Sequence, residues 1–253
     1  MIRNFVLKAV TFVTAAIAVL LPNFGSAHAD PVIFSSATAT FHQTFDRDWN
    51  PAEMINGDTS ASNGWAIFRN GGGGDQTLSE TALFTLQSPL SAGPESVTFN
   101  LFQNHGEQHL LGNFSLAYTT DVAPTLSSTQ TMFSVVSATS QNGTTFSFPA
   151  AGQLLVTNPN TAPNTDVYTI FANANSAAPI TGFFLNAIND PTDGLATGGP
   201  GIVPSNGNFV VSEFTADLAG PATPEPGSVA LFFGLSLVGV REGWRRAHSR
   251  RQA

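Results

Sequence analysis

Between residues 30 and 219 the chain sustains no 3.6-residue apolar period of any length. It offers instead short runs rich in Val, Thr, Phe and Leu, each closed by a cluster of Gly, Pro, Asn or Ser. Such runs predict an antiparallel β-sandwich, because successive residues of a strand point to opposite faces and one face alone must be apolar. The expected strands are ATATFHQTF, GWAIF, ETALFTL, ESVTFNLFQ, LGNFSLAYTT, TMFSVVSA, TTFSF, QLLVT, DVYTIFA, ITGFFLNAI and GNFVVSEFTAD. In the fourth the alternation is explicit, with Val97, Phe99 and Leu101 on one face and Ser96, Thr98 and Asn100 on the other. Most of the 21 phenylalanines fall in these runs and are read as core. Trp65, inside GWAIF, is read the same way, whereas Trp49 and Tyr118 are candidates for stacking at a polar rim.

Charge narrows the range of partners. From Asp30 to Thr223 there are two basic residues, Arg47 and Arg69, against fifteen Asp and Glu, a net charge near −13. Nucleic acid and anionic lipid headgroups are therefore poor partners for this region. The chain has no cysteine, which removes disulfides, thiolate chemistry and Cys-ligated zinc.

The termini read as addresses. Arg3 and Lys8 precede an apolar run from Ala9 to Leu21, and Ala27-His28-Ala29 has the small-x-small form of a signal-peptidase site, so cleavage is expected before Asp30. At the other end, Gly227 to Val240 is fourteen residues without a charge. As a helix it would reach ~21 Å, short of a ~30 Å hydrocarbon core, with tilt and flanking residues closing part of the gap. Arg241, Arg245, Arg246, Arg250 and Arg251 follow it and would stay cytoplasmic. The expected organisation is a signal peptide (1–29), a β-sandwich (30–219), a Pro-rich linker (220–226), a single transmembrane helix (227–240) and a basic tail (241–253).

The triplet Pro224-Glu225-Pro226, the short apolar segment and the arginine cluster together resemble the PEP-CTERM sorting tail of Gram-negative bacteria. The resemblance implies processing by an exosortase after signal peptidase, transient residence in the inner membrane, and delivery to the cell surface or beyond it, alongside exopolysaccharide.

The body carries a second resemblance. MINGDTSASNGWAIF, then SVTFNLFQNHGEQHLLGNFSLAYTTD, then GGPGIVPSNGNFVVSEFTAD follow the order of features in galactose-binding-like, discoidin-related jelly rolls: a turn before a Gly-Trp strand, paired strands around a His-containing turn, and a Gly-Pro-Gly loop before a closing strand. It implies an all-β jelly-roll sandwich over most of residues 37–217. One domain with an elaborated middle is the favoured reading, and two tandem sandwiches divided near Pro124 are the alternative.

Two stretches hold candidate chemistry. In NHGEQH, His105, Glu107 and His109 lack the helical His-Glu-x-x-His spacing of a zinc peptidase. On a turn they could hydrogen-bond a sugar with Trp49 or join a metal site, or they could be a solvated hairpin loop. In FDRDWN, Asp46, Asp48 and Asn50 have the spacing that opens calcium loops, but Pro51 and Gly57 stand where the turn glycine and closing glutamate belong. A sandwich-type calcium site is the remaining candidate there, and no other cofactor is expected. The run Asn70 to Gly74 lacks the Gly-Lys-Ser/Thr ending of a phosphate loop, no Gly-x-Ser-x-Gly elbow is present, and the body has no lysine. The expected function is that of a non-catalytic, surface-sorted protein that binds polysaccharide or is purely structural. A secreted hydrolase on a β scaffold, acting on extracellular polysaccharide, is the alternative, although no carboxylate pair stands out.

Overall fold

The computed structural model describes residues 29–69, 78–195 and 199–219. The expected signal peptide up to residue 28, the Asn70 to Gly74 run, the Pro-Glu-Pro linker, the apolar C-terminal segment and the basic tail lie outside the described residues. Among the described residues no helix is long and apolar enough to cross a membrane. Helical turns there are short 3-10 segments at Pro51–Ile55 and Pro159–Thr161.

The described chain is an antiparallel β-sandwich. One sheet has the order β1 (Asp30–Pro31), β14 (Glu213–Leu218), β5 (Gly93–Gln103), β11 (Asp166–Ser176) and β8 (Ser134–Ser140). The other has the order β2 (Phe34–Ala39), β4 (Glu80–Leu90), β12 (Ile180–Ala187), β6 (Asn113–Thr119), β10 (Gln153–Val156) and β9 (Phe146–Ser147), with β7 (Thr131–Met132) also paired to β6. A short ribbon joins β3 (Trp65–Ala66) to β13 (Val210–Val211). The chain changes sheet between β4, β5 and β6 and again between β10, β11 and β12, which is the winding of a jelly roll.

Strands from both sides of Pro124 interleave: β11 pairs with β5, and β12 lies between β4 and β6. Pro124 is therefore no domain boundary. The His-containing segment is also not the hairpin that the sequence suggested, because β5 and β6 belong to different sheets and residues 104–112 cross between them. The run ATATFHQTF is likewise extended only to Ala39. Its partner strand begins at Glu80, so the ladder ends near Ala39↔Ala82, and the backbone passes to the ribbon through Gln43 N–H to Ala66 O at 2.8 Å.

The inner faces are apolar at every second residue. In β5 these are Val97, Phe99 and Leu101, and in β11 Tyr168, Ile170, Ala172 and Ala174. Phe99 and Phe214 of one sheet interdigitate with Phe84 and Phe183 of the other, with Phe84 stacked on Phe214 at 4.2 Å and Phe99 edge-on to Phe183 at 5.3 Å. The next residue, Phe184, faces the opposite way and packs with Leu83 and Ala117 beneath Leu126. This explains why the central strands of the larger sheet are buried on both faces.

Register also fixes the two ends of the sandwich. The pairs Gln103↔Asp166, Phe102↔Glu213, Ala187↔Phe114, Ala187↔Glu80 and Ala39↔Ala82 all lie at one end. The connections 40–64, 104–112 and 157–165, with the described stretches 188–195 and 199–209, therefore gather there, and the tight β4–β5 and β11–β12 turns and the 120–130 connection lie at the other end. At the loop-rich end the buried Glu213 accepts from Gly57 N–H at 3.1 Å. Burial pushes its carboxyl up to about 7, against the pull of the Gly57 and Asn56 amides and with added repulsion from Asp58.

The folded state thus holds this proton more tightly than the unfolded chain, and its stability falls as pH rises from the ordinary value of 4.5 to about 7. Thermal unfolding measured across that window should show the Glu213→Gln variant gaining on the wild type as pH rises. A constant difference between the two would contradict this.

Candidate functional site

Four segments meet at the loop-rich end: the chain after β2, the β3–β13 ribbon, the β5–β6 crossover and the stretch leading into β13. They enclose a cleft of about 210 Å³ whose walls include Gln43, Asp46, Trp49, Phe68, His105, Glu107, His109, Asn206 and Asn208. The fold thus unites NHGEQH and FDRDWN, which the sequence presented as separate candidates.

The crossover owes its shape to backbone strain. Gly106, Glu107 and Gln108 have φ of +95°, +52° and +60°, a left-handed run in which each side-chain-bearing residue costs on the order of 1–2 kcal/mol. What holds it lies on either side. Leu110 and Leu111 are fully buried, Leu111 N–H donates to Gln103 Oε1 at 2.5 Å, and Gln108 Nε2 donates to Ala162 O at 2.8 Å. Val210 N–H then donates to His109 O at 3.0 Å and ties the crossover to the ribbon. Gly201 contributes a close approach, since a Cβ there would lie 1.9 Å from Asn208 O.

His105 Nδ1 lies 2.9 Å from Ala61 O and His109 Nδ1 lies 3.0 Å from Gly106 O. A carbonyl only accepts, so each neutral ring carries its proton on Nδ1 and leaves Nε2 as an acceptor. The rings pack edge-to-face at 4.7 Å, and His105 packs against Trp49 at 5.1 Å. Loss of water around His109 pulls its pKa below the ordinary value and His105 adds to this, opposed by the Gly106 carbonyl and Glu107. Partial desolvation alone would raise Asp46. Hydrogen bonds from Gln43 Nε2 at 2.6 Å, Arg47 N–H at 2.8 Å and Trp49 Nε1 at 3.2 Å outweigh it and hold the carboxyl below its usual range.

The structure separates the remaining FDRDWN residues. Asp48 Oδ1 pairs with His42 Nε2 at 2.9 Å, and Asn50 Oδ1 caps the Pro51–Ile55 turn through Ala52 N–H at 3.0 Å. The three side chains thus engage three different sets of partners. Among the described residues no group of three or more His, Cys, Asp or Glu could hold a metal ion. Trp65 is core, fully buried, with Nε1 donating to Phe41 O at 2.8 Å. Tyr118 corrects the expectation of a rim platform: it is only 4% exposed and packs on Phe133 at 5.1 Å, because it falls on the inner face of β6. Ala29 and Asp30 stand at the start of the described residues, and Asp30 pairs with Leu218.

Three parts of the site were not foreseen. Phe68 puts an aromatic ring on the cleft wall, and half-exposed Phe45 packs against it at 5.4 Å. Gln43 is 5% exposed, and its Oε1 has no hydrogen-bond partner. Asn206 Oδ1 accepts from Asn208 N–H at 2.9 Å and Asn208 Oδ1 from Ile67 N–H at 3.1 Å, leaving amide nitrogens as the donors these residues can offer. The sequence places Asn208 at the start of the expected strand GNFVVSEFTAD, whereas the observed strand begins at Val210, and nothing in the sequence distinguished Gln43 or the pairing of Phe45 with Phe68.

Among solved structures the chain is similar to the family 32 carbohydrate-binding module of C. perfringens NanJ, determined in complex with galactose, at 12% identity and a TM-score of 0.40 over 75% of this chain and 99% of that one. The family 32 carbohydrate-binding module of Streptococcus pneumoniae EndoD matches at 12% identity and a TM-score of 0.42, over 74% of this chain and 98% of that one. No protein family and no curated protein matches the sequence itself.

The left-handed run provides a direct check of stored strain. With the side chain removed in both, Glu107→Gly should be more stable than Glu107→Ala by about 1 kcal/mol, since glycine alone adopts this φ at little cost. Urea unfolding of the pair measures it, and an alanine variant of equal or greater stability would show that the crossover is unstrained.

Proposed function

We propose that this chain is an exported, surface-sorted protein that binds polysaccharide through the cleft at the loop-rich end and does not catalyse its cleavage. The observation that carries the binding reading is the conjunction, in one cleft, of the Phe68 ring, backed by Phe45, with Gln43, whose buried Oε1 has no partner. An aromatic rim covers the apolar face of a sugar ring, and a buried acceptor without a partner is satisfied by an incoming hydroxyl. The imidazole Nε2 atoms and the Asn206 and Asn208 amides add acceptors and donors around the same volume.

Binding is favoured over hydrolysis by the state of Asp46. A carboxylate that accepts from three donors and is held below its ordinary pKa is a poor proton donor, a glycosidase needs one carboxyl raised to serve as acid, and the raised carboxyl of Glu213 is not among the residues lining the cleft. The export reading rests on the terminal segments: the signal peptide ending at Ala29, and the Pro224-Glu225-Pro226 triplet ahead of the apolar segment and its arginines. Signal peptidase and an exosortase are the processing partners this implies. Delivery would be to the surface of a Gram-negative cell or its surroundings, after a transient inner-membrane stage.

Two measurements test the proposal. The surface protein should have a mass that begins at Asp30 and ends near Pro226; intact residues 241–253 in every fraction would contradict sorting. Retention on exopolysaccharide should drop about tenfold in Phe68→Ala, a partly exposed ring on the cleft wall that is not part of the buried core, with no release of reducing sugar from either protein. Unchanged retention would remove the cleft from the account.

A further inference from the structure

The cleft is unbalanced in its hydrogen bonding and in its charge. Its lining is rich in acceptors: Gln43 Oε1, which has no partner, the Asp46 and Glu107 carboxylates, and Nε2 of His105 and His109. The orientation of Gln43 is fixed by its neighbour, because Asp46 only accepts and so faces the amide nitrogen, which leaves the buried oxygen without a partner. Nothing positive answers these groups. Arg47 forks onto both oxygens of Glu53 at 2.6 Å each and lies over the Trp49 ring at 4.6 Å. Arg69 is engaged by Glu80 and lies over the Phe41 ring at 3.5 Å. Among the described residues there is no other arginine and no lysine.

A ligand matched to such a site brings several donors on one atom and a positive charge. Among the described residues no group of three His, Cys, Asp or Glu is placed to hold a metal ion, so an organic cation is the ligand argued for. A primary ammonium has three donors and no acceptor, and the volume of about 210 Å³ suits a single sugar ring. Resting on the polysaccharide-binding reading, we propose that the cleft selects a sugar unit with a free amine, as in a deacetylated amino-sugar polymer, and rejects uronic and sulfated units. Gln43 Oε1, Asp46 and Glu107 receive the ammonium, and the histidine Nε2 atoms accept from ring hydroxyls. The fifteen-to-two excess of acidic over basic residues between Asp30 and Thr223 adds a long-range bias in the same direction.

The test is calorimetric titration of the full chain in detergent with three tetrasaccharides: glucosamine, N-acetylglucosamine and galacturonate. The glucosamine oligomer should bind at least tenfold more tightly than its acetylated counterpart, and the galacturonate should not bind. The preference should shrink severalfold in Glu107→Gln, an exposed position that tolerates the change, and in raised salt. If the acetylated oligomer binds as tightly, or the galacturonate binds best, the amine selectivity is overturned and polysaccharide binding survives. If none of the three binds and exopolysaccharide is not retained either, both readings fall.

Discussion

Without a cysteine the two sheets have no covalent brace, and what joins them is the aromatic layer between their inner faces. Phe84 and Phe214 stack across it, while Phe99, Phe133 and Phe183 meet edge-on around them. Each fully buried ring contributes on the order of 1.5–3 kcal/mol relative to exposure, and favourable ring geometry adds about 0.5–1.5 kcal/mol per pair. The layer also locks the register of every strand that supplies a ring, because a slip of one residue would turn Phe99 or Phe214 out to solvent. Fixed register is what gathers the long connections at one end, so the cleft exists where it does because of the core.

Much of this was legible in the sequence because a period of two is a local signal. Val97, Phe99 and Leu101 announced their face without reference to any other strand, and the breaks at Gly, Pro and Asn marked most of the strands. What was not legible is non-local. The sequence cannot show that β5 and β6 lie in different sheets, so the segment from Asn104 to Gly112 read as a hairpin loop when it is a strained crossover anchored by Leu110 and Leu111. Tyr118 failed for a related reason: it lies two residues from Leu116 on the inner face, a parity visible only once the facing sheet is known.

The site was half legible in the same sense. His105, Glu107, His109, Trp49 and Asp46 stood out by residue type, and the fold places all of them on one cleft. The calcium reading of Asp46, Asp48 and Asn50 relied on spacing alone. In the folded loop Asn50 caps a 3-10 turn and Asp48 pairs with His42, contacts that the spacing did not reveal. Gln43 and Phe68 fell inside expected strands, ATATFHQTF and GWAIF, with nothing to mark them as site residues; their importance comes from an unfilled hydrogen bond and a ring contact that only three dimensions reveal.

The account stands on the cleft being the place where sugar is held. Chemical-shift mapping of the full chain in detergent micelles, titrated with an oligosaccharide of the exopolysaccharide, addresses this most directly. The largest changes are predicted at the Gln43 side-chain amide, the His105 and His109 rings, and Asn208. Changes confined to the opposite end, around Val122 and the β11–β12 turn, or to the outer face of the five-stranded sheet near Phe171, would contradict it.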